Sequence, residues 1–283
     1  MLAVSAAQLK SVLGDPSAVL GAALVLLFLG LCAAGPWIAP YPVDATGAIH
    51  FALKLKPPSA AHWFGTDEIG DDIFSRVVIG ARTSLWVGLS ITGIAVVVGA
   101  PLGILAGFLG GRIQSLIMRL TDVFLCVPGL VLALAIVAAL GPGLAHGVAA
   151  LAAVWWPGYV RLLESKALAL RDASFVEAAR AGGASTLRIL LRHVAPNCMG
   201  PLIVKASMDM GFAILAAASL GFIGLGARPP APEWGAMMAV ARNYMPDWWW
   251  YSLAPGAFVF ATVLGFNLLG DGLATWLDPR EHR

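Results

Sequence analysis

From Ala18 to Gly35 the chain carries no charged residue, and five further stretches are nearly as apolar. An α-helix needs roughly 20 mostly apolar residues to cross a bilayer. The remainder cannot dilute these runs: of 283 residues 59% are hydrophobic and only 12% are charged, with a mean hydropathy of +0.82. Soluble domains carry about 25% charged residues, so lipid is the solvent this sequence fits.

Six spans are expected, making an all-α integral membrane protein: about Ser17–Ile38, Thr83–Phe108, Leu116–Leu140, Gly147–Leu163, Met199–Ile223 and Tyr251–Leu269. Glycine and proline recur inside them, as membrane helices tolerate. The run Ala18–Gly35 exceeds the 7–15 residue core of a signal peptide, and Leu31 before Cys32 is a poor lipoprotein-type junction, so the first helix reads as uncleaved. With the N-terminus inside, twelve of the eighteen Lys and Arg fall on inside segments and adjoining helix ends. The positive-inside rule therefore gives N-in and C-in. Residues 1–82 form an N-terminal unit of leading segment, first helix and outer loop. Residues 83–283 form the transmembrane core, with a cytoplasmic loop at 164–198. Two outer segments, 41–82 and 224–250, are long. The second holds Trp248-Trp249-Trp250-Tyr251, an aromatic run expected at headgroup level.

Several chemistries lack their residues. There is no G-x-x-x-x-G-K-[ST], H-E-x-x-H or G-x-S-x-G, and the five histidines are scattered. A net charge of +2 gives no reason to expect nucleic acid. Cys32, Cys126 and Cys198 have no metal-ligand spacing and read as small buried side chains. Asp67, Glu68, Asp71 and Asp72 read as a solvated outer loop rather than a cation site. Met208, Met210, Met237 and Met238 read as packing rather than metal ligands.

One polar island interrupts the second half: SFVEAARAGGASTLRILLRHVAP, Ser174 to Pro196. Ser174 and Glu177 fit a capping box, so a helix should start at Phe175. Gly182-Gly183 should end it, and Ser185 can cap a second helix. There Leu187, Leu190, Leu191 and Val194 would form an apolar stripe, with Arg188 and Arg192 opposite. Pro196 should stop that helix before the fifth span. Ala178, Ala179 and Ala181 make the first helix thin enough to enter a groove on a partner, with Phe175 as anchor. The alternative is a helical loop lying on the membrane surface.

This island resembles the signature loop of ABC importer permeases, E-A-A-x3-G-x9-I-x-L-P. Glu177-Ala178-Ala179, Gly183 and Pro196 match, while His193 stands for Ile and Ala195 for Leu. Arg192-His193 with Pro196-Asn197 resembles the R-H-x-x-P-N form of the dipeptide/oligopeptide/nickel branch. HWFGTDEIGDD (62–72) is similar to that branch's G-T-D-x-x-G-R-D, with Asp71 where arginine is usual. MRLTDVFLCVPGL (118–130), SLGFIGLGARPPAPEWGAMM (219–238) and FNLLGDGLATWLDPR (266–280) resemble further signatures of the branch.

The resemblance implies a type I importer permease fold of the "C" peptide type. It implies a second homologous permease, two ATPase subunits that bind ATP and Mg, and an extracytoplasmic binding protein, in a bacterial plasma membrane. No cofactor is expected in this chain, and no catalytic site. The loop would dock one ATPase through Phe175, Val176, Glu177, Ala178, Ala179, Arg180 and Gly183, shaped by Ser174, Gly182, His193 and Pro196. Glu177 has two compatible roles, the capping box or an ion pair with a partner arginine. Charged groups within spans are functional candidates by default. Arg119 and Asp122 can pair on one helix face, as can Lys205 and Asp209. Asp209 could line a translocation path, and Asn267 could bond a neighbouring helix. Small peptides are the leading solute, with nickel or a chelated metal as the alternative. Outside transport, a membrane enzyme and a structural docking protein remain as other classes.

Overall fold

The computed structural model describes residues 15–228 and 230–277. Lys10, Arg280, His282 and Arg283 lie outside that range. Among the described residues regular structure is helical, apart from one isolated bridge between Thr66 and Asp72.

Helix α1 is Pro16–Ile38, opened by Asp15, whose carboxylate accepts from the amide of Ser17 at 2.9 Å. Helix α2 is Ile73–Leu109 and starts ten residues before the expected span. Asp72 caps it, accepting from the Ser75 amide at 2.8 Å. Next come α3 (Gly111–Leu125) and α4 (Gly129–Leu140), which meet at 82°. The single third span expected over 116–140 is thus broken. Pro128 has no N–H to continue the ladder, and its ring drives Val127 out of the helical region.

Helix α5 is Leu144–Arg171 and covers the residues of the expected fourth span, with Arg161 near that span's end; Glu164 and Lys166 follow. Short helices α6 (Ser174–Ala181) and α7 (Thr186–Ile189) lead through a π turn, Leu190–Val194, into α8 (Ala195–Phe222). The last two are α9 (Trp234–Ala241) and α10 (Trp249–Leu277). Four helical runs are long and apolar enough to cross a membrane: α1, α2, Thr186–Phe222 and α10. The bent pair α3–α4 makes a fifth if taken as one span.

Helix packing is set by small residues. Between helices in lipid there is little hydrophobic drive, so close approach and van der Waals contact must hold them. Gly99, Gly103 and Gly107, one turn apart on α2, lie against α5. A methyl placed on each would come within 2.5 Å of Trp156 O, 2.6 Å of Val160 O and 2.2 Å of Glu164 O. On the other side α1 meets α10, with Phe28 against Phe266 and Trp234 at ring separations of 6.1 and 5.9 Å. Trp234 is fully buried and donates its indole N–H to Val77 O at 2.9 Å, fixing α9 to α2. A second core joins α2, α5, α6 and the start of α8 around Tyr159, Leu163, Val176 and Val194. Cys32 and Cys198 are buried as expected, but Cys126 is exposed because it sits at the α3–α4 bend.

Candidate functional site

The polar island lies between α5 and α8. Only Asp172 and Ala173 separate α6 from α5. The expected capping box does not form: Ala173, in extended conformation, is the N-cap, and Ser174 is already inside the helix. The register is set by Val176, which is fully buried against the α2–α5–α8 core. Starting one residue earlier turns Val176 inward and leaves Ser174 and Glu177 outside. Val176 therefore holds the helix from below instead of lining its outer face.

That outer face carries Phe175, Glu177, Ala178 and Arg180. The Phe175 ring is 39% exposed and 6.4 Å from the His193 ring. Among the described residues no ion pair engages Glu177. The Arg180 guanidinium covers the Phe108 ring of α2 at 5.7 Å, and Ala179 packs on the same core. The end of α6 follows the glycine pair. Gly183 adopts φ +78°, its N–H bonds Arg180 O at 3.0 Å, and the Ala184 N–H bonds Ala179 O at 3.0 Å. These two bonds make a Schellman ending with Gly183 in the left-handed position.

Ser185 caps α7 as expected, accepting from the Arg188 amide at 3.4 Å. The stop at Pro196 does not occur. Helix α7 runs through the π turn into α8, and Pro196 occupies the first turn of α8, where a missing N–H is tolerated. The Asn197 side-chain amide donates to His193 O at 2.6 Å, satisfying a carbonyl beside that turn. The apolar stripe is also divided: Ile189, Leu190 and Val194 are buried, whereas Leu187 and Leu191 are 64% and 60% exposed. They stand one turn apart on the outer face.

Within the spans, Lys205 and Asp209 pair as expected, with Nζ 3.1 Å from Oδ2. Lys205 also lies 5.0 Å over the Tyr159 ring. Both line a cavity of about 910 Å³ between α5, α8 and α10, which also takes in Lys166, Asn197, Met208 and Phe212. Asp122 does not pair with Arg119. It bonds Arg161 of α5, which α3 brings alongside, and both partners are about half exposed. Asn267 turns back on its own helix, donating to Val263 O at 2.9 Å, rather than bonding a neighbour.

The acidic cluster is the largest departure from the sequence reading. Asp67, Asp71 and Asp72 are at most 1% exposed, so the loop is not solvated. Arg76, one turn into α2, reaches Asp67 at 2.7 Å and Asp71 at 3.0 Å. Asp72 caps α2 and accepts from His62 Nδ1 at 2.9 Å, while its own amide donates to Asp44 Oδ2 at 2.7 Å. Glu68 bonds the Tyr251 hydroxyl of α10. Burial pushes the Asp71 carboxyl up to about 7, Asp67 adds to the rise and Arg76 opposes it. Burial raises Asp67 as well. The D-x-x-S spacing of Asp72 and Ser75 was the one local signal for this cap; the distant partners Asp44 and Tyr251 had none.

Comparison with known proteins agrees with this architecture. Residues 99–283 match the family described as binding-protein-dependent transport system inner membrane component. Residues 10–58 match the N-terminal transmembrane domain of oligopeptide transport permease C. The chain is 48% identical over 267 residues to the probable D,D-dipeptide transport system permease protein DdpC of Escherichia coli K12, covering 94% of this chain and 89% of that one. It is 47% identical to the di/tripeptide transport system permease protein DppC of Pseudomonas aeruginosa UCBPP-PA14, covering 92% and 88%. A glutathione transport system permease, GsiD of Escherichia coli O6:K15:H31, is 44% identical over 93% of this chain and 86% of that one. In fold, a chain from an inward-facing structure of the MetNI methionine ABC transporter superposes with a TM-score of 0.59 at 18% identity, covering 71% of this chain and 96% of that one. Four to five apolar spans, a helical insert between α5 and α8 and these matches agree: the chain belongs to the binding-protein-dependent transport system inner membrane components and has the type I ABC importer permease fold.

Proposed function

We propose that this chain is one of two permeases of an ATP-driven importer of di- and oligopeptides in a bacterial plasma membrane. The peptide class rests on the 47–48% identity to permeases named for dipeptide and di/tripeptide transport. In this reading α3–α4 forms one bent span and α5 another, giving six with both termini inside. A second homologous permease completes the pathway, lipid surrounds both, two ATPase subunits bind ATP and Mg, and an extracytoplasmic binding protein delivers the peptide. The nickel reading differs only in solute.

The observation that carries the coupling role is the split of α6 into a buried and an open side. Val176 anchors it from within, while Phe175 and Glu177, like Leu187 of α7 and Leu191 of the π turn, are exposed. Such a thin helix suits a groove on an ATPase. When ATP binding closes the ATPase pair, the segment moves as a body and drags α5 and α8, so the pathway between the permeases alternates its access. Lys205 and Asp209, on the α8 face of the cavity, are the pathway candidates; Arg119, Asp122 and Asn267 fit roles in helix surface and packing.

The test is reconstitution with the cognate permease, ATPases and binding protein in proteoliposomes, measuring ATP-dependent uptake of labelled dipeptide against nickel. Dipeptide uptake supports the reading, and uptake of nickel alone refutes the peptide assignment. In the same system Glu177→Gln should lower ATP-coupled uptake at least tenfold with assembly intact. Full uptake by that variant would remove the ion-pair role of Glu177.

A further inference from the structure

The network before α2 holds more negative charge than its bases balance. Asp44, Asp67, Asp71 and Asp72 are all buried, with Arg76 and His62 as the basic groups bonded within it and His50 at its edge. Three of these residues converge. A carboxylate oxygen of Asp44, one of Asp71 and an imidazole nitrogen of His50 all lie within 4.8 Å of one another. Asp44 is 3% exposed and Asp71 fully buried, whereas the His50 side chain is 47% exposed, leaving one side open to solvent.

A second observation points to a ligand. Arg76 takes Asp71 Oδ2, but Asp71 Oδ1 is buried with no hydrogen-bond partner among the described residues. A buried carboxylate oxygen without a donor is costly, and a cation satisfies it. Asp44 is oriented for the same purpose: its Oδ2 is held by the Asp72 amide at 2.7 Å, and its Oδ1 faces His50 Nε2 at 3.3 Å. The His50 amide is fixed on Ile69 O at 2.8 Å, so the backbone carrying the imidazole is already in place.

We propose that Asp44, His50 and Asp71 bind a divalent transition-metal cation, with zinc the expected occupant. One imidazole nitrogen and two carboxylate oxygens are a borderline donor set that favours zinc over magnesium or calcium. Three protein ligands with an open fourth position for water is a recurrent zinc arrangement. Metal–ligand bonds of about 2.0–2.2 Å require ligand atoms roughly 3.3–3.6 Å apart. His50 Nε2 and Asp44 Oδ1, 3.3 Å apart, already meet that spacing, so Asp71 is the ligand that closes in when the cation binds. The cation would tie the 42–50 segment to the turn that starts α2. The site does not depend on which solute is moved.

The test uses the full chain in nanodiscs, stripped with EDTA, desalted and titrated with zinc sulfate, with bound metal measured by plasma mass spectrometry and melting followed in parallel. One zinc per chain is expected, retained in excess magnesium and raising the melting temperature. His50→Ala, which removes a half-exposed side chain, and Asp71→Asn should each weaken binding at least tenfold. If Asp71→Asn fails to fold, His50→Ala still decides the matter. No zinc at micromolar concentration, or zinc bound equally well by a folded His50→Ala protein, overturns the site.

Discussion

Alanine at Gly103 should separate helix propensity from helix contact. In a helix interior Gly→Ala gains about 1 kcal/mol. At Gly103 the added methyl would lie 2.6 Å from Val160 O and 3.0 Å from Leu163 Cβ, inside the ordinary contact range that begins at 3.4 Å. The carbonyl belongs to the α5 backbone and cannot rotate away, so the helices must part by several tenths of an ångström. Overpacking of this kind costs about 1–3 kcal/mol. Gly93, on the same helix, has nothing within 4 Å of where an added methyl would sit and supplies the control. Because the propensity gain is common to both variants, their difference isolates the close approach. Gly103→Ala should be less stable than Gly93→Ala by about 1–3 kcal/mol, or roughly 2–4 °C of melting temperature per kcal/mol. Thermal melts of the two purified proteins in one detergent measure it. If they melt together, the glycine stripe does not hold α2 on α5.

Two further outcomes concern the insert and the loop after α8. Val176→Ala removes two methyl groups from a fully buried site, which should cost about 2 kcal/mol and loosen α6; protease accessibility near Gly183 should rise while the spans stay protected. Glu233 caps α9 by accepting from the Gly235 and Ala236 amides, each at 2.8 Å, and burial raises its carboxyl above the ordinary 4.5. The folded state thus keeps a proton that the unfolded chain releases, so this group's contribution to stability falls as pH rises from 4.5 through the raised value. Glu233→Gln should flatten that part of a melting-temperature profile against pH; an unchanged slope would refute the assignment.

Element type was readable wherever lipid dictated it. The run around Ala18–Gly35 reads as a helix long enough to span a bilayer, and α1 departs from the expected span by one residue at its start. Short-range chemistry was also legible: the Gly183 ending and the Ser185 cap follow from residues within a turn of each other. What failed depended on distant partners. The start of α6 is decided by Val176 packing on α2, α5 and α8, which overrides the local attraction of Ser174 for Glu177. The acids at 67–72 looked solvated because nothing nearby in sequence announces Asp44 or Tyr251. The break at Pro128 had a local signal, the valine–proline–glycine run, that the apolarity of 116–140 masked. The continuity across Pro196 could not be read from a proline rule alone, because the π turn ahead of it absorbs the mismatch.

That continuity has a mechanical meaning. From Arg188 to Asp209 the chain runs as one helical rod, about 32 Å long at roughly 1.5 Å per residue. A tilt of about 5° around its Thr186 end displaces Asp209 by roughly 3 Å relative to α5 and α10, and Lys205, one turn earlier on the same rod, moves with it. The π turn lies near the fulcrum, where five residues with wider backbone bonding set how much of the tilt is transmitted and how much is lost as bending. If the insert moves as proposed, stiffness at Leu190–Val194 sets the gearing between its outer face and the charged wall of the cavity.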